Sequence, residues 1–156
     1  MVEPVLKTLA GPSGYLHVGK SGAGHFVKMV HNGIEYALMQ SYGEGLALLK
    51  EGPFRLRLDQ IAKLWNRGSV IRSWLLELAA QALSKNPDLA GIKGYVEDSG
   101  EGRWTVQEAA ALGIPVSAIA LSLFTRFRSR QEESFSDKLV ASLRQEFGGH
   151  RIRRSS

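Results

Sequence analysis

Polar and apolar positions alternate most tellingly between Gly22 and Tyr36, GAGHFVKMVHNGIEY, where Lys28, His31, Asn32 and Glu35 fall at i, i+3, i+4 and i+7. That spacing sets four polar groups on one face of one helix. The other faces carry Phe26, Val27, Met29, Val30, Ile34, Tyr36, Leu38 and Met39, which predicts a helix buried on most sides. Gly33 interrupts the helix interior, where glycine costs roughly 1 kcal/mol against alanine. Such a glycine marks a place where another group comes close to the backbone. A solvated face is the ordinary fate of a polar stripe. An amine, an imidazole, an amide and a carboxylate within a stripe one residue wide point instead to chemistry.

The same periodicity lays out the rest of the chain. Residues 2–10 predict a short amphipathic helix ended by Gly11-Pro12, and residues 15–18 a short strand. The long helix is predicted from about Gly24 to Lys50, roughly 40 Å at 1.5 Å per residue, and Glu51-Gly52-Pro53 ends it. A helix over residues 59–66 follows, then one over 69–85 with Ile71, Trp74, Leu75, Leu78 and Ala82 as its core-facing stripe. Periodicity vanishes in the glycine-rich residues 91–103, which predicts a loop too long for a mere connector. Thr105 with Glu108 reads as a capping box that starts a short helix to Ala111. Pro115 opens a helix carrying Arg126, Arg128 and Arg130, and Ser136 or Asp137 caps a last one to about Glu146, before Gly148-Gly149. The predicted fold class is all-α, built round the long helix, with a helix and strand in the first twenty residues.

Composition narrows the function classes. The 156 residues, 44% hydrophobic and 22% charged, suit one globular domain. There is no cysteine, which removes disulfides and cysteine-ligated zinc and suits a reducing cytoplasm. His17, His25, His31 and His150 form no H-E-x-x-H pattern, so no metal is expected. No apolar run nears the roughly 20 residues of a membrane helix. The net charge of +5 calls for an anionic partner. Nucleic acid is a weak candidate, because the arginines are poorly interleaved with aromatics.

Two glycine motifs fail on their context. Residues 14–21 fit G-x-x-x-x-G-K-[ST], but the strand-like residues would have to form the loop itself. Gly22-Ala23-Gly24 opens a helix like a dinucleotide fingerprint, yet Val27 replaces the third glycine and no βαβ unit follows. Two constellations remain. Lys28 and Glu35, about 10.5 Å apart along one helix face, suit a base and an acid acting on a small linear substrate, with partial burial and neighbouring histidines to tune them. Arg103 and Thr105, where a glycine-rich loop feeds a helix start, suit a phosphate.

These residues resemble the C-terminal, substrate-binding domain of the 6-phosphogluconate dehydrogenase (decarboxylating) family. Four ordered blocks carry the resemblance: GxGHxVKMVHNGIEY at Gly22 to Tyr36, G-x-G-[KR]-W-T at Gly100 to Thr105, A-R-x-x-S at Thr125 to Ser129, and R-x-x-F-G-x-H at Arg144 to His150. The resemblance implies Lys28 as the base that takes the C3 hydroxyl proton and Glu35 as the acid that protonates C1 after carbon dioxide departs. It implies that Asn32 and His31 hold the reacting hydroxyls, with Asn32 also touching the nicotinamide. Tyr36, Arg103, Thr105 and Arg126 would grip the 6-phosphate. Arg144 and His150 would reach a neighbouring subunit's site in a homodimer. NADP or NAD would be bound mainly by an N-terminal nucleotide-binding half. On this reading residues 1–20 are the remnant of that half, 21–150 the catalytic, substrate-binding and dimerisation domain, and 151–156 a basic tail, in the family's short form. Two departures stand out: Arg103 replaces the family's usual lysine, and Thr125 its alanine. The alternatives are a related β-hydroxyacid dehydrogenase domain with another substrate, or a basic helical module for nucleic acid or a protein partner.

Overall fold

One helix of 29 residues forms the spine of the molecule, and four others pack along it. The computed structural model describes residues 2–154. In chain order the helices are α1 (Glu3–Ala10), α2 (Ala23–Glu51), α3 (Leu58–Gly68), α4 (Trp74–Lys85), α5 (Glu101–Ala111), α6 (Ser117–Ser129) and α7 (Phe135–Gly148). The all-α expectation holds. No strand forms among the described residues, and residues 15–18, expected as one, run without regular structure because no second strand lies beside them. Of the basic tail, Ser155 and Ser156 lie outside the described residues, as does Met1.

The N-terminal half of α2 carries α5 and α6; its C-terminal half meets the α3–α4 pair. That pair holds the tightest core, where Ala62, Leu76 and Ala80 are almost fully buried and Tyr42 and Trp65 pack against them. Small alanines on both helices let their axes approach. The Tyr42 hydroxyl ties this unit to the spine by donating to the Ile71 carbonyl at 2.6 Å, beside the Ser73 hydroxyl at 2.9 Å. Ser73 is the N-cap of α4, accepting from the Leu76 N–H at 3.0 Å. The helix therefore starts at Trp74, later than its expected start at Ser69, and its buried positions are Leu76, Ala80 and Leu83 rather than the predicted stripe. Trp74 is 74% exposed. The face chosen by bulk is one residue out of phase, because the contact with α3 needs the small Ala80.

The expectation that α2 is buried on most sides fails within one chain. Only Gly33 and Tyr36 are buried in it, while Phe26, Val27, Ile34 and Leu48 are exposed. The last helix also starts earlier than predicted, with Ser134 capping α7 through the Asp137 N–H. Every apolar residue of α7 remains open to solvent, and it packs on no other helix among the described residues.

Candidate active site

Two glycines, one on each helix, bring α5 onto the polar stripe of α2. A Cβ on Gly33 would lie 2.7 Å from Thr105 Cγ2, and one on Gly102 would lie 2.6 Å from the Tyr36 ring. Gly33 thus has the close approach that its place in a helix interior suggested. The Thr105 hydroxyl completes the crossing, sharing its proton between the Met29 carbonyl at 2.9 Å and the Glu101 carbonyl at 2.8 Å.

This crossing corrects the reading of the loop. The helix begins at Glu101, with Gly100 as N-cap in the left-handed region at φ +105°, so Thr105 is an interior residue and not a cap. It is 4% exposed. The T-V-Q-E pattern matched a capping box, but the glycine one turn earlier takes the start of the helix. Arg103 consequently sits in the first turn of α5.

On α2 the stripe assembles as its spacing requires. The Lys28 ammonium donates to Asn32 Oδ1 at 2.6 Å and lies 3.4 Å from His31 Nδ1. Nδ1 of His31 is 3.1 Å from Asn32 Oδ1 and 3.9 Å from a Glu35 carboxylate oxygen. All four groups share one surface. Lys28 and His31 are exposed, Asn32 and Glu35 half-buried, so the expected partial burial of the amine is not met in the single chain. The first turn of α5 brings a further carboxylate, Glu101, to this face. The Ser99 hydroxyl is the main cause that holds Glu101 below the ordinary carboxylate range, followed by a backbone N–H, the Lys28 charge and the Asn32 side chain.

Beside the stripe lies a cluster of guanidinium groups. Arg126 stacks on the Tyr36 ring at 3.5 Å and donates to the Glu97 carbonyl at 2.9 Å. Tyr36 is buried, and its hydroxyl accepts from the Ser99 N–H at 3.2 Å. Arg103 clasps Asp98 through Nε at 2.8 Å and Nη2 at 3.0 Å, and Arg130 reaches the same carboxylate at 2.9 Å. Both arginines lie close to the Phe127 ring centre, at 4.9 and 5.1 Å. The Arg103 fork, then Arg130, holds the Asp98 carboxyl below its ordinary range.

The structure therefore gathers Lys28, His31, Asn32, Glu35, Tyr36, Arg103, Thr105 and Arg126 in one region; the Thr105 hydroxyl gives its proton to the fold, whereas the Tyr36 hydroxyl accepts from the Ser99 N–H and donates to no described residue. Arg144 and His150 are not brought there. Arg144 lies on the unpacked α7, and His150 follows it, with its ring against Phe147. Asp98 and Glu101 carry no site role in the sequence reading, and Arg130 appears there only as one of three arginines on its helix. The advance signal for Arg130 is its place in the arginine cluster at the end of α6, and that for Asp98 and Glu101 is only the acidic content of a glycine-rich loop, which has no periodicity to assign them a face. No group of three or more His, Asp or Glu able to hold a metal forms among the described residues. No described helix is long and apolar enough to cross a membrane.

The pattern that defines the 6-phosphogluconate dehydrogenase C-terminal domain matches residues 24–148. The chain belongs to that family. It is 51% identical over 155 residues to the NAD(+)-dependent, decarboxylating 6-phosphogluconate dehydrogenase of Haloferax volcanii, covering 98% of this chain and 52% of that protein. It is 40% identical over 143 residues to the enzyme of the same description from Bacillus subtilis, covering 83% of this chain and 30% of that one. The fold is similar to solved 6-phosphogluconate dehydrogenase of Plasmodium falciparum, described in its apo form and with its cofactor NADP+ and its substrate, at a TM-score of 0.74 and 28% identity. That likeness covers 99% of this chain and 34% of the other. The chain thus spans about half or less of the length of these relatives.

Proposed function

We propose that this chain is the substrate-binding and catalytic domain of a cytoplasmic oxidoreductase that oxidatively decarboxylates 6-phosphogluconate to ribulose 5-phosphate, a step of the pentose phosphate pathway. The observation that carries the reading is the Lys28–Asn32 pair at 2.6 Å, with His31 and Glu35 on the same open face and three arginines at its edge. In its neutral amine form Lys28 takes the proton of the C3 hydroxyl as hydride leaves C3, and Asn32 and His31 hold the hydroxyls around it. After carbon dioxide leaves, Glu35 delivers a proton to the new C1. Tyr36, Arg103 and Arg126 anchor the 6-phosphate beside Thr105, so that remote binding fixes the reacting carbon over Lys28.

The nicotinamide of NADP or NAD would accept the hydride. The described residues include no strand-turn-helix unit for a pyrophosphate, and the half-buried amide of Asn32 is the group suited to touch the nicotinamide ring. Turnover therefore requires a nucleotide-binding domain alongside this one. A homodimer whose C-terminal segment serves the neighbouring site accounts for the distance of Arg144 and His150 from Lys28. The decisive measurement is turnover of a protein carrying both domains with Lys28→Met. Removing the base should lower kcat by about 10²-fold or more with the fold intact. Wild-type turnover in that variant would remove Lys28 from the mechanism, and equal activity on gluconate and 6-phosphogluconate would remove the phosphate.

A further inference from the structure

We propose that Asp98 is a positioning residue that holds Arg103 and Arg130 side by side as one phosphate receptor, with Arg130 as a binding residue in its own right. The assignment of a phosphoryl group rests on the substrate reading above; the arrangement of the two arginines does not. The Asp98 side chain is 1% exposed, and a carboxylate so buried persists only when fully paired. Both oxygens are engaged: Nε of Arg103 donates to Oδ1 and its Nη2 to Oδ2, and Nη1 of Arg130 donates to the same Oδ2. The two guanidinium groups are fixed a second time by the Phe127 ring.

What Asp98 leaves unused is the receptor. Nη1 of Arg103 and Nη2 of Arg130 make no hydrogen bond among the described residues. The Arg103 side chain is 50% exposed and that of Arg130 22%. With Arg126 on Tyr36 beside them, the three guanidinium charges exceed the charge of the Asp98 carboxylate by two, the complement of a phosphate dianion. The cluster also adjoins the stripe, because Tyr36 follows Glu35 directly and accepts from Ser99, the residue after Asp98.

The sign of one substitution separates this role from plain electrostatics. A carboxylate next to a phosphate site repels the ligand, so Asp98→Asn should tighten phosphate binding if charge alone mattered. If Asp98 preorganises two flexible arginines, the same change weakens it, because the ligand must then order both side chains itself. The experiment follows the Arg103 and Arg130 side-chain Nε–Hε signals by NMR in this chain, titrated with inorganic phosphate, 6-phosphogluconate and gluconate.

In the wild-type chain phosphate should shift both signals, and in Asp98→Asn its affinity should fall about tenfold, as expected when charge-assisted hydrogen bonds are lost. Gluconate binding should be unchanged, which a general loosening of the fold would not spare. Unchanged or tighter phosphate binding in Asp98→Asn overturns the proposal, and so does the absence of any wild-type response at the two arginines. Should Asp98→Asn not fold, Arg130→Lys decides, since it keeps the charge and loses the fork; phosphate affinity equal to wild type then refutes the receptor. If phosphate binding depends on Asp98 while 6-phosphogluconate binds no better than gluconate, the receptor stands and the substrate reading falls.

Discussion

Two carboxylates near the stripe are held ionised by neighbours, and this makes the stability of the fold sensitive to acid. Asp98 lies below its ordinary value of 3.8, chiefly through the Arg103 hydrogen bonds, and Glu101 below 4.5, chiefly through the Ser99 hydroxyl. Both have folded values depressed relative to the unfolded chain. Their stabilisation is therefore complete above the unfolded values and is lost as pH falls through the folded ones. Melting temperature measured by circular dichroism should drop between about pH 5 and 3 for this reason. Ser99→Ala removes the main cause acting on Glu101 and should flatten the upper part of that drop, near 4.5. An unchanged profile in Ser99→Ala would show that Glu101 does not hold its charge through this hydroxyl.

The crossing of α2 and α5 rests on the missing side chain at Gly33, where Thr105 takes the space. Alanine at an exposed glycine inside a helix gains roughly 1 kcal/mol of propensity, whereas forcing a methyl into a filled space costs typically about 1–3 kcal/mol. At Gly33 the obstacle is a buried β-branched side chain, with Thr105 Cγ2 2.7 Å from the added atom. The clash should win. Urea unfolding should find Gly33→Ala destabilised by about 1 kcal/mol or more, and less so in a Thr105→Ala background, which removes the two nearest atoms. Gly45→Ala meets nothing within 4 Å and should stabilise the same helix, by up to about 1 kcal/mol. Equal effects at the two glycines would mean that α5 does not sit as described. This contact also shows what the sequence could reveal. The periodic helices and the four-residue stripe were legible, because spacing on a helix fixes which side chains share a face. Gly33 announced an approach without naming Thr105. The start of α5 was misplaced because a capping pattern and a left-handed glycine compete one turn apart, and the face of α4 because packing favoured Ala80 over the bulkier Trp74. Asp98, Glu101 and Arg130 were invisible as a group, since only the tertiary crossing unites a loop and two helices.

For the whole molecule, the tension is between so much open apolar surface and a site that lacks two of its expected residues. Phe135, Leu139, Val140, Leu143 and Phe147 of α7 are uncovered, and so are Phe26, Val27 and Ile34 on the spine. Met39, Leu46, Leu75 and Leu78 line an open groove of about 580 Å³ between α2 and α4. An interface would cover exposed apolar residues of this kind. The homodimer proposed above would satisfy both demands at once: the α7 of a second copy would cover apolar surface, and its Arg144 and His150 would arrive beside a Lys28 that is not their own. In a closed two-fold dimer each site then takes its base from one chain and its tail from the other. Mixing two inactive variants of a protein carrying both domains tests this directly. Lys28→Met and Arg144→Ala should each be inactive alone, but in a mixed dimer the Lys28→Met chain lends an intact tail to the partner's intact base. With random exchange half the dimers are mixed and one site in each is whole, so about a quarter of wild-type activity should return. A tail that serves its own chain predicts no recovery, because in the mixed dimer each site would still lack either its base or its arginine.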